Sequence, residues 1–135
     1  MNIYLAGPMR GYAEFNHPAF LTAARLIRGT GHEVFSPAEH DAEAGLDVTG
    51  MTGSQAELDA AGQSLRDLLG TALAWITSSA DAVVVMPGWE ESAGARAEAA
   101  TALALGLPVH DLGQFLLYGS KAPFIQIVLR QGKGQ

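Results

Sequence analysis

The stretch over residues 80–98, ADAVVVMPGWEESAGARAE, constrains the fold of this chain more than any other. Its apolar run over residues 82–86 is rich in β-branched side chains, which is typical of a strand buried on both faces of a parallel sheet. Pro87 and Gly88 end the run, because proline cannot donate to a ladder and glycine tolerates turn geometry. The alanine-rich segment after Ser92 predicts a helix. The loop before that helix therefore lies at the carboxyl end of the strand, where α/β sheets bind ligands.

The remaining segments alternate between strand and helix. Short apolar runs predict further strands over residues 2–6, 32–36 and 107–110. Helical patterns separate them, over residues 19–28 and, after a capping box of Ser54 and Glu57, up to residue 79. This alternation predicts a single α/β domain. We expect a flavodoxin-like three-layer sandwich, with a four- or five-stranded parallel sheet of order 2-1-3-4-5 and helices on both faces.

Three segments of the chain lack a clear period. We expect residues 38–62 to form a long loop, because they are polar, glycine-bearing and aperiodic. Residues 124–129 are expected to form a last strand or helix. The tail over residues 131–135 is expected to be frayed.

The composition excludes several classes of partner. A formal net charge of −6, with only eight Lys and Arg residues, provides little basic surface for a nucleic acid. The lack of cysteine excludes disulfides and thiolate metal sites, and the four histidines show no metal-ligand spacing. No apolar run has membrane-spanning length, and the amino terminus reads NIYLAGP rather than a signal peptide. We expect a cytoplasmic domain with no membrane partner, metal or cofactor.

The predicted sheet order brings the loops after the first and third strands to one crevice. Gly7, Arg10 and Gly11 belong to the first loop, whereas Ser92 and Gly94 begin the helix after the third strand. Unpaired N–H groups at a helix amino terminus attract anions, and arginine can bind phosphate through two hydrogen bonds. The pattern indicates an anion site; a surface arginine between turn glycines is the alternative. The loop has neither a Walker ending nor a G-x-G-x-x-G pattern.

Two side chains near this crevice have an orientation that the pattern does not determine. Glu98 lies in the second turn of the alanine-rich helix, so its carboxylate faces either solvent, as most helix glutamates do, or the crevice. Tyr4 points either into the core or toward the crevice, because its strand is apolar throughout. Glu98 is the candidate catalytic group.

The motifs IYLAGPMRG, ADAVV, SAGARAE and GLPV together resemble the nucleoside 2-deoxyribosyltransferase superfamily. The chain is most similar to the branch of deoxynucleoside 5′-monophosphate N-glycosidases and to small phage-encoded relatives. The resemblance covers the first strand and its loop and then residues 75–109. It does not cover residues 38–62 or the carboxyl end.

The resemblance implies roles for individual residues. Glu98 matches the glutamate that attacks the anomeric carbon of deoxyribose, as the carboxylate of a retaining glycosidase does. Asp81 matches an acidic residue near the catalytic centre, or is a turn residue before its strand. The monophosphate branch holds the 5′-phosphate at positions that match Arg10, Gly11, Ser92 and Gly94. Gly7 and Tyr4 are also expected to bind the substrate. Trp89 either stacks on the nucleobase or becomes buried in a subunit interface.

The chain departs from the resemblance at one acidic position. The monophosphate hydrolases have an aspartate shortly before the tryptophan of the third helix, whereas this chain has Ala72 ahead of Trp75. A departing base needs a proton or a hydrogen bond, so a second acid is expected. The residues that could replace the aspartate are Asp67, Glu90 and Glu91. Among the histidines, His40 of the long loop, with Glu39 and Asp41 beside it, is the one that could reach the base.

Three functional hypotheses follow. The first is an enzyme that cleaves or exchanges the base of a (deoxy)nucleoside or its 5′-monophosphate through Glu98. The second is a nucleotide or sugar-phosphate binding module of the same fold without catalysis. The third is a hydrolase of another N-glycoside, such as a nicotinamide dinucleotide. Relatives assemble as dimers or larger oligomers, so the resemblance implies a homo-oligomer, with the apolar third helix at the interface.

Overall fold

The computed structural model describes residues 1–126 of the chain. Four strands form one sheet: β1 (Asn2–Ala6), β2 (Glu33–Phe35), β3 (Ala82–Val85) and β4 (Val109–Asp111). All neighbouring strands pair in parallel, in the order β2-β1-β3-β4. The predicted flavodoxin-like three-layer sandwich is confirmed, with four strands in the described part of the chain.

The described residues form six α-helices beside the sheet: α1 (His17–Arg28), α2 (Pro37–Glu43), α3 (Gln55–Ala60), α4 (Leu65–Ser79), α5 (Ala93–Ala104) and α6 (Leu112–Tyr118). Short 3₁₀ turns cover Ala13–Asn16, Trp89–Glu91 and Gly119–Lys121. The predicted capping box is confirmed at the start of α3, where the Ser54 hydroxyl accepts from Glu57 N–H and the Glu57 carboxylate accepts from Ser54 N–H. Among residues 1–126, no helix has both the length and the apolar character needed to cross a membrane.

Side chains that alternate along the strands build two separate cores. On one face, Ile3, Leu5 and Val84 pack with α1 and α6. On the other face, Tyr4, Val83 and other residues of β1 and β3 pack with α4 and α5. All residues of β3 are fully buried, as expected for a strand covered on both faces. Strand β3 therefore lies in the interior of the sheet, between β1 and β4.

The expectation of a loop over residues 38–62 is wrong for much of its length. Helix α2 occupies Pro37–Glu43 and helix α3 occupies Gln55–Ala60. A proline at its first position suits the start of α2, but its seven residues bury only Ala38 and Asp41. Two buried positions are too few to give a detectable helical spacing of apolar residues, so the sequence pattern does not predict this helix.

The segment between α2 and α3 is docked onto the loop after β1. Gly11 N–H donates to the Gly53 carbonyl at 2.8 Å, and Glu14 N–H donates to the Met51 carbonyl at 2.8 Å. A small apolar cluster beneath these hydrogen bonds consists of Phe15, Leu46, Val48 and Leu58. The segment and the loop therefore form one wall.

The carboxyl end differs from the prediction as far as it is described. The sequence pattern over residues 115–118 predicts a helical turn, and the helix that forms there, α6, is longer and spans Leu112–Tyr118. Residues 124–126 belong to neither a strand nor a helix. The rest of the predicted last element, residues 127–129, and the predicted frayed tail, residues 131–135, lie outside the described residues.

Candidate active site

A cavity of about 450 Å³ opens at the carboxyl ends of β1 and β3. Because these strands are neighbours, the loop after β1 and the amino end of α5 lie side by side, as the topology predicted. Parts of α2, α3 and α4 close the remaining side. Six of the expected site residues line this cavity: Tyr4, Gly7, Arg10, Ser92, Gly94 and Glu98. Its volume is in the range of small-molecule sites.

Glu98 is buried in the cavity wall, with 8% of its surface exposed. The Tyr4 hydroxyl donates a hydrogen bond of 2.8 Å to Glu98 Oε2. Burial raises the pKa of Glu98 from 4.5 to about 7, and the hydrogen bond from Tyr4 opposes that rise by favouring the charged form. Burial also raises the pKa of Tyr4 well above 10, and the Glu98 carboxylate raises it further. Tyr4 thus remains a donor, and near neutral pH Glu98 exists in both protonation states.

An aromatic layer fixes the position of the Tyr4 ring. Phe35 stacks on Tyr4 with ring centroids 5.5 Å apart and planes 17° apart. Trp75 from α4 packs against both rings, at 6.1 Å from Tyr4 and 5.1 Å from Phe35. Offset contacts of this kind favour one ring orientation. The Tyr4 side chain therefore points toward the cavity, and Trp75 supports it from the core.

The amino end of α5 forms the polar rim of the cavity. Ser92 is the N-cap, and its hydroxyl accepts from Ala95 N–H at 3.2 Å. A Cβ atom added at Gly94 would meet no atom within 4 Å, so the backbone there is open to a ligand. Arg10 is exposed on the facing loop, where its Nη1 donates to Gln55 Oε1 at 3.0 Å. A helix terminus and a guanidinium thus converge on one rim.

The opposite wall is mostly apolar. Leu58 is buried there, and three leucines of α4 complete the surface: Leu65, Leu68 and Leu69. Ala72 also lines this wall, at the position where an acid was expected. The ionisable side chains of this wall are Asp41 and His40 of α2. The centroid of the His40 ring lies 5.4 Å from that of Phe35.

Three of the expected site residues lie outside the cavity lining. Asp81 lies at the amino end of β3, where its carboxylate accepts from Asn2 N–H at 2.7 Å, so it is a structural residue at the opposite end of the strand. Trp89 packs against the core beneath α4 and α5 rather than into the cavity. Gly11 has a structural role in the loop after β1: its φ is +86°, which favours glycine, and its N–H donates to the Gly53 carbonyl.

The candidates for a second acid differ in whether they line the cavity and whether they are buried. Asp67 and Glu90 are exposed and do not line the cavity, whereas Glu91 lines it but is exposed. Asp41 lines the cavity and is 8% exposed. The local sequence marks Asp41 only as a neighbour of His40, but the predicted sheet order implies its place in the cavity. Residues that follow β2 come to the same edge as those that follow β1 and β3.

Within residues 1–126, no group of three or more His, Cys, Asp or Glu side chains is arranged to hold a metal ion.

Comparison with known proteins identifies a family for this chain. No curated protein and no solved structure matches the chain significantly. A family model described as a domain of unknown function, DUF4406, matches residues 1–111 and so includes every site residue described above. The chain therefore belongs to the DUF4406 family.

Proposed function

We propose that this protein cleaves or exchanges the N-glycosidic bond of a (deoxy)nucleoside 5′-monophosphate, with Glu98 as the nucleophile. The observation that carries the proposal is the buried Glu98 carboxylate, which Tyr4 holds at 2.8 Å beside an open helix amino terminus. The motifs that resemble the nucleoside 2-deoxyribosyltransferase superfamily supply the same assignment independently.

The chemistry requires a carboxylate that is positioned and partly desolvated. In the proposed first step Glu98 attacks C1′ of the sugar, the bond from C1′ to the base nitrogen breaks, and its electron pair leaves with the base. A pKa of about 7 keeps a large fraction of Glu98 ionised at neutral pH. Water or a second base then attacks C1′ and releases Glu98, which gives hydrolysis or transfer respectively.

The 5′-phosphate is proposed to bind at the rim formed by Ser92, Gly94 and Arg10. Backbone N–H groups at the start of α5 would donate to the phosphate oxygens, and Arg10 would exchange its hydrogen bond with Gln55 for the phosphate. The sugar would then lie over Glu98, with the base toward the apolar wall of α3 and α4.

Two alternatives have specific support. A binding module without catalysis is favoured by Ala72, which stands where the related hydrolases have an acid. Hydrolysis of a nicotinamide N-glycoside is favoured by the same residue, because a pyridinium nitrogen leaves as a neutral base and needs no proton.

A panel assay distinguishes these proposals. The protein is incubated with deoxy- and ribonucleoside 5′-monophosphates, free nucleosides and nicotinamide dinucleotide, and the released base is measured by chromatography. We expect base release by wild type and by Glu90→Ala, an exposed control outside the cavity, and none by Glu98→Ala. Binding of a nucleotide by wild type and Glu98→Ala without release by either would leave only the binding module.

We also propose that copies of the chain associate through α4 and α5. Leu65 of α4 and Leu105 at the end of α5 are 45% and 48% exposed. Burying such side chains against a second copy stabilises a dimer. Sedimentation velocity should show a dimer or larger species that Leu105→Lys weakens. A monomer at every concentration tested would remove this part of the proposal.

A further inference from the structure

A second buried ionisable pair lies against the cavity, opposite the wall that Glu98 occupies. Asp41 of α2 and His17 of α1 are 8% and 6% exposed. His17 Nε2 lies 3.7 Å from Asp41 Oδ2, and within residues 1–126 this buried nitrogen has no hydrogen-bond partner. Burying polar groups without hydrogen bonds is costly, so such a pair is seldom kept for stability alone.

The backbone before His17 is held in an unfavourable conformation. Glu14, Phe15 and Asn16 have left-handed φ values of 52°, 53° and 62°, a region that costs non-glycine residues free energy. Phe15 is buried beneath the cavity, and Asn16 Nδ2 donates to the Pro8 carbonyl at 3.0 Å. This turn sets where α1 begins and so brings the His17 ring to Asp41. Backbone strain of this kind concentrates at functional sites.

The other ionisable groups of the cavity do not suit the task of protonating a departing base. The Tyr4 hydroxyl is committed to Glu98, and Arg10 stays charged. Glu91, His40 and Tyr12 are exposed, so water competes for them. Asp41 is the buried acid besides Glu98 in the described cavity lining.

We infer that Asp41 is the general acid of the N-glycosidase reaction and that His17 is its positioning residue. The inference rests on the proposed function. In the proposed reactive form, the Asp41 carboxyl group carries one proton and lies beside His17 Nε2. As Glu98 bonds to C1′ and the bond from C1′ to the base breaks, that proton moves from Asp41 to the base. The base leaves neutral, Asp41 becomes a carboxylate and His17 is neutral.

The second half of the reaction restores the pair. A water molecule attacks C1′ from the side that the base has left, and the bond from C1′ to Glu98 breaks. The proton that the water loses returns to Asp41. The net change is one water consumed, with one neutral base and one sugar 5-phosphate released. Asp41 thereby takes the role of the acid that is missing at Ala72.

The test compares a leaving group that needs a proton with one that does not. Deoxynucleoside 5′-monophosphates are the first substrate class, and 4-nitrophenyl 2-deoxyriboside 5-phosphate is the second, because 4-nitrophenolate leaves as an anion. The variants are Asp41→Asn, Glu98→Gln and the control Glu43→Gln, an exposed residue of α2 outside the cavity. Azide is added as a nucleophile that attacks C1′ without needing a general base.

For Asp41→Asn we expect a loss of about 10²–10⁴-fold in base release from nucleotides. With the nitrophenyl substrate the same variant should give a burst of one nitrophenolate per site, and azide should restore its turnover. Glu43→Gln should behave as wild type with both substrates. Glu98→Gln should lose both reactions, without rescue by azide.

The outcomes separate the inference from the function on which it rests. If wild type releases no base and no nitrophenolate, the proposed function and the inference both fail. If wild type is active and Asp41→Asn loses both substrates equally, or neither, the inference alone fails. Should Asp41→Asn not fold by circular dichroism, His17→Gln serves instead. It should slow nucleotides and spare the nitrophenyl burst, and equal effects on both would overturn the inference.

Discussion

Burial and one hydrogen bond between Tyr4 and Glu98 together set the pKa of both groups. The phenol favours the charged carboxylate, while burial favours the neutral acid, and the pKa of about 7 is the balance. A nucleophilic carboxylate must be ionised, so activity should rise as the pH rises through about 7. The change in that midpoint when the hydrogen bond is removed measures what the bond contributes.

Tyr4→Phe should move the rise to higher pH. A hydrogen bond to a charged group contributes about 1.5–3 kcal/mol, so the midpoint in kcat/KM should shift upward by about one pH unit or more. Tyr12→Phe, at an exposed tyrosine of the same cavity, should leave the midpoint where it is. A Tyr4→Phe profile that overlays wild type would show that this hydrogen bond does not control the nucleophile.

Arg10→Met should weaken binding of nucleotides but not of nucleosides. Loss of a charge-assisted hydrogen bond to phosphate should raise KM about 10–100-fold for a nucleoside 5′-monophosphate. The matched control is Arg96→Met, an exposed arginine of α5 that does not line the cavity. An equal rise in KM for the nucleoside lacking phosphate would contradict the proposed phosphate rim.

At the scale of elements, the segment between α2 and α3 docks onto the loop after β1 because the backbone at Gly53 packs closely against the backbone at Tyr12. Gly53 has a φ of +93°, and an added Cβ would lie 2.2 Å from the Tyr12 carbonyl oxygen. At Gly50, with a φ of +77°, an added Cβ would meet nothing within 4 Å. The two glycines therefore share a left-handed backbone and differ in the space around them.

Gly53→Ala should lower the free energy of unfolding by about 3 kcal/mol, and Gly50→Ala by about 1 kcal/mol. The first change combines a strained backbone with a clash, whereas the second adds only strain. Urea denaturation of both variants measures the difference. Equal losses would mean that the segment between α2 and α3 is not docked on the loop after β1 as described.

Helices and strands could be predicted from the sequence where their buried residues form a regular apolar pattern. Elements that bury few residues could not. The run at β3 is apolar throughout and ends at Pro87, so both the strand and its covered faces could be inferred. Helix α2 buries two of seven residues and gave no period. The direction of Tyr4 was undecidable because β1 is buried on both faces, so no polar alternation marks one side.

Some site residues could likewise be predicted from the sequence, and others could not. Ser92 and Gly94 could be located because a helix start at the carboxyl end of a strand is a topological property. Asp81 precedes its strand and so belongs to the other end, which the same rule implies. The pairing of Asp41 with His17 depends on contact between α1 and α2, a tertiary feature without a local signal.

For the whole molecule, the buried Glu98 costs stability at neutral and alkaline pH. Its folded pKa of about 7 exceeds the ordinary 4.5, so between these values the folded state keeps a proton that the unfolded state releases. Stability from this group is complete below about pH 4.5 and is lost as the pH rises through about 7, by roughly 3 kcal/mol in total.

Glu98→Gln should therefore be more stable than wild type by an amount that grows with pH. Between about pH 5 and pH 8 the difference in unfolding free energy should increase by roughly 2–3 kcal/mol. Chemical denaturation at both pH values measures it, and Glu90→Gln, an exposed position, should show no such growth. A difference that stays constant with pH would mean that the carboxyl group at 98 ionises as freely as one in water.

Trapping of the covalent intermediate tests the central claim most directly. The probe is a nucleoside 5′-monophosphate with a 2-fluoro-2-deoxyarabinosyl sugar and a base that leaves readily. Fluorine slows both steps, because both transition states are oxocarbenium-like, and the good leaving group restores the rate of the first. The bond to the nucleophile should then form faster than water breaks it. Mass spectrometry of the acid-quenched protein should then show one added sugar phosphate, located on the peptide that carries Glu98. Base release without any adduct, or an adduct on another residue, would contradict the account.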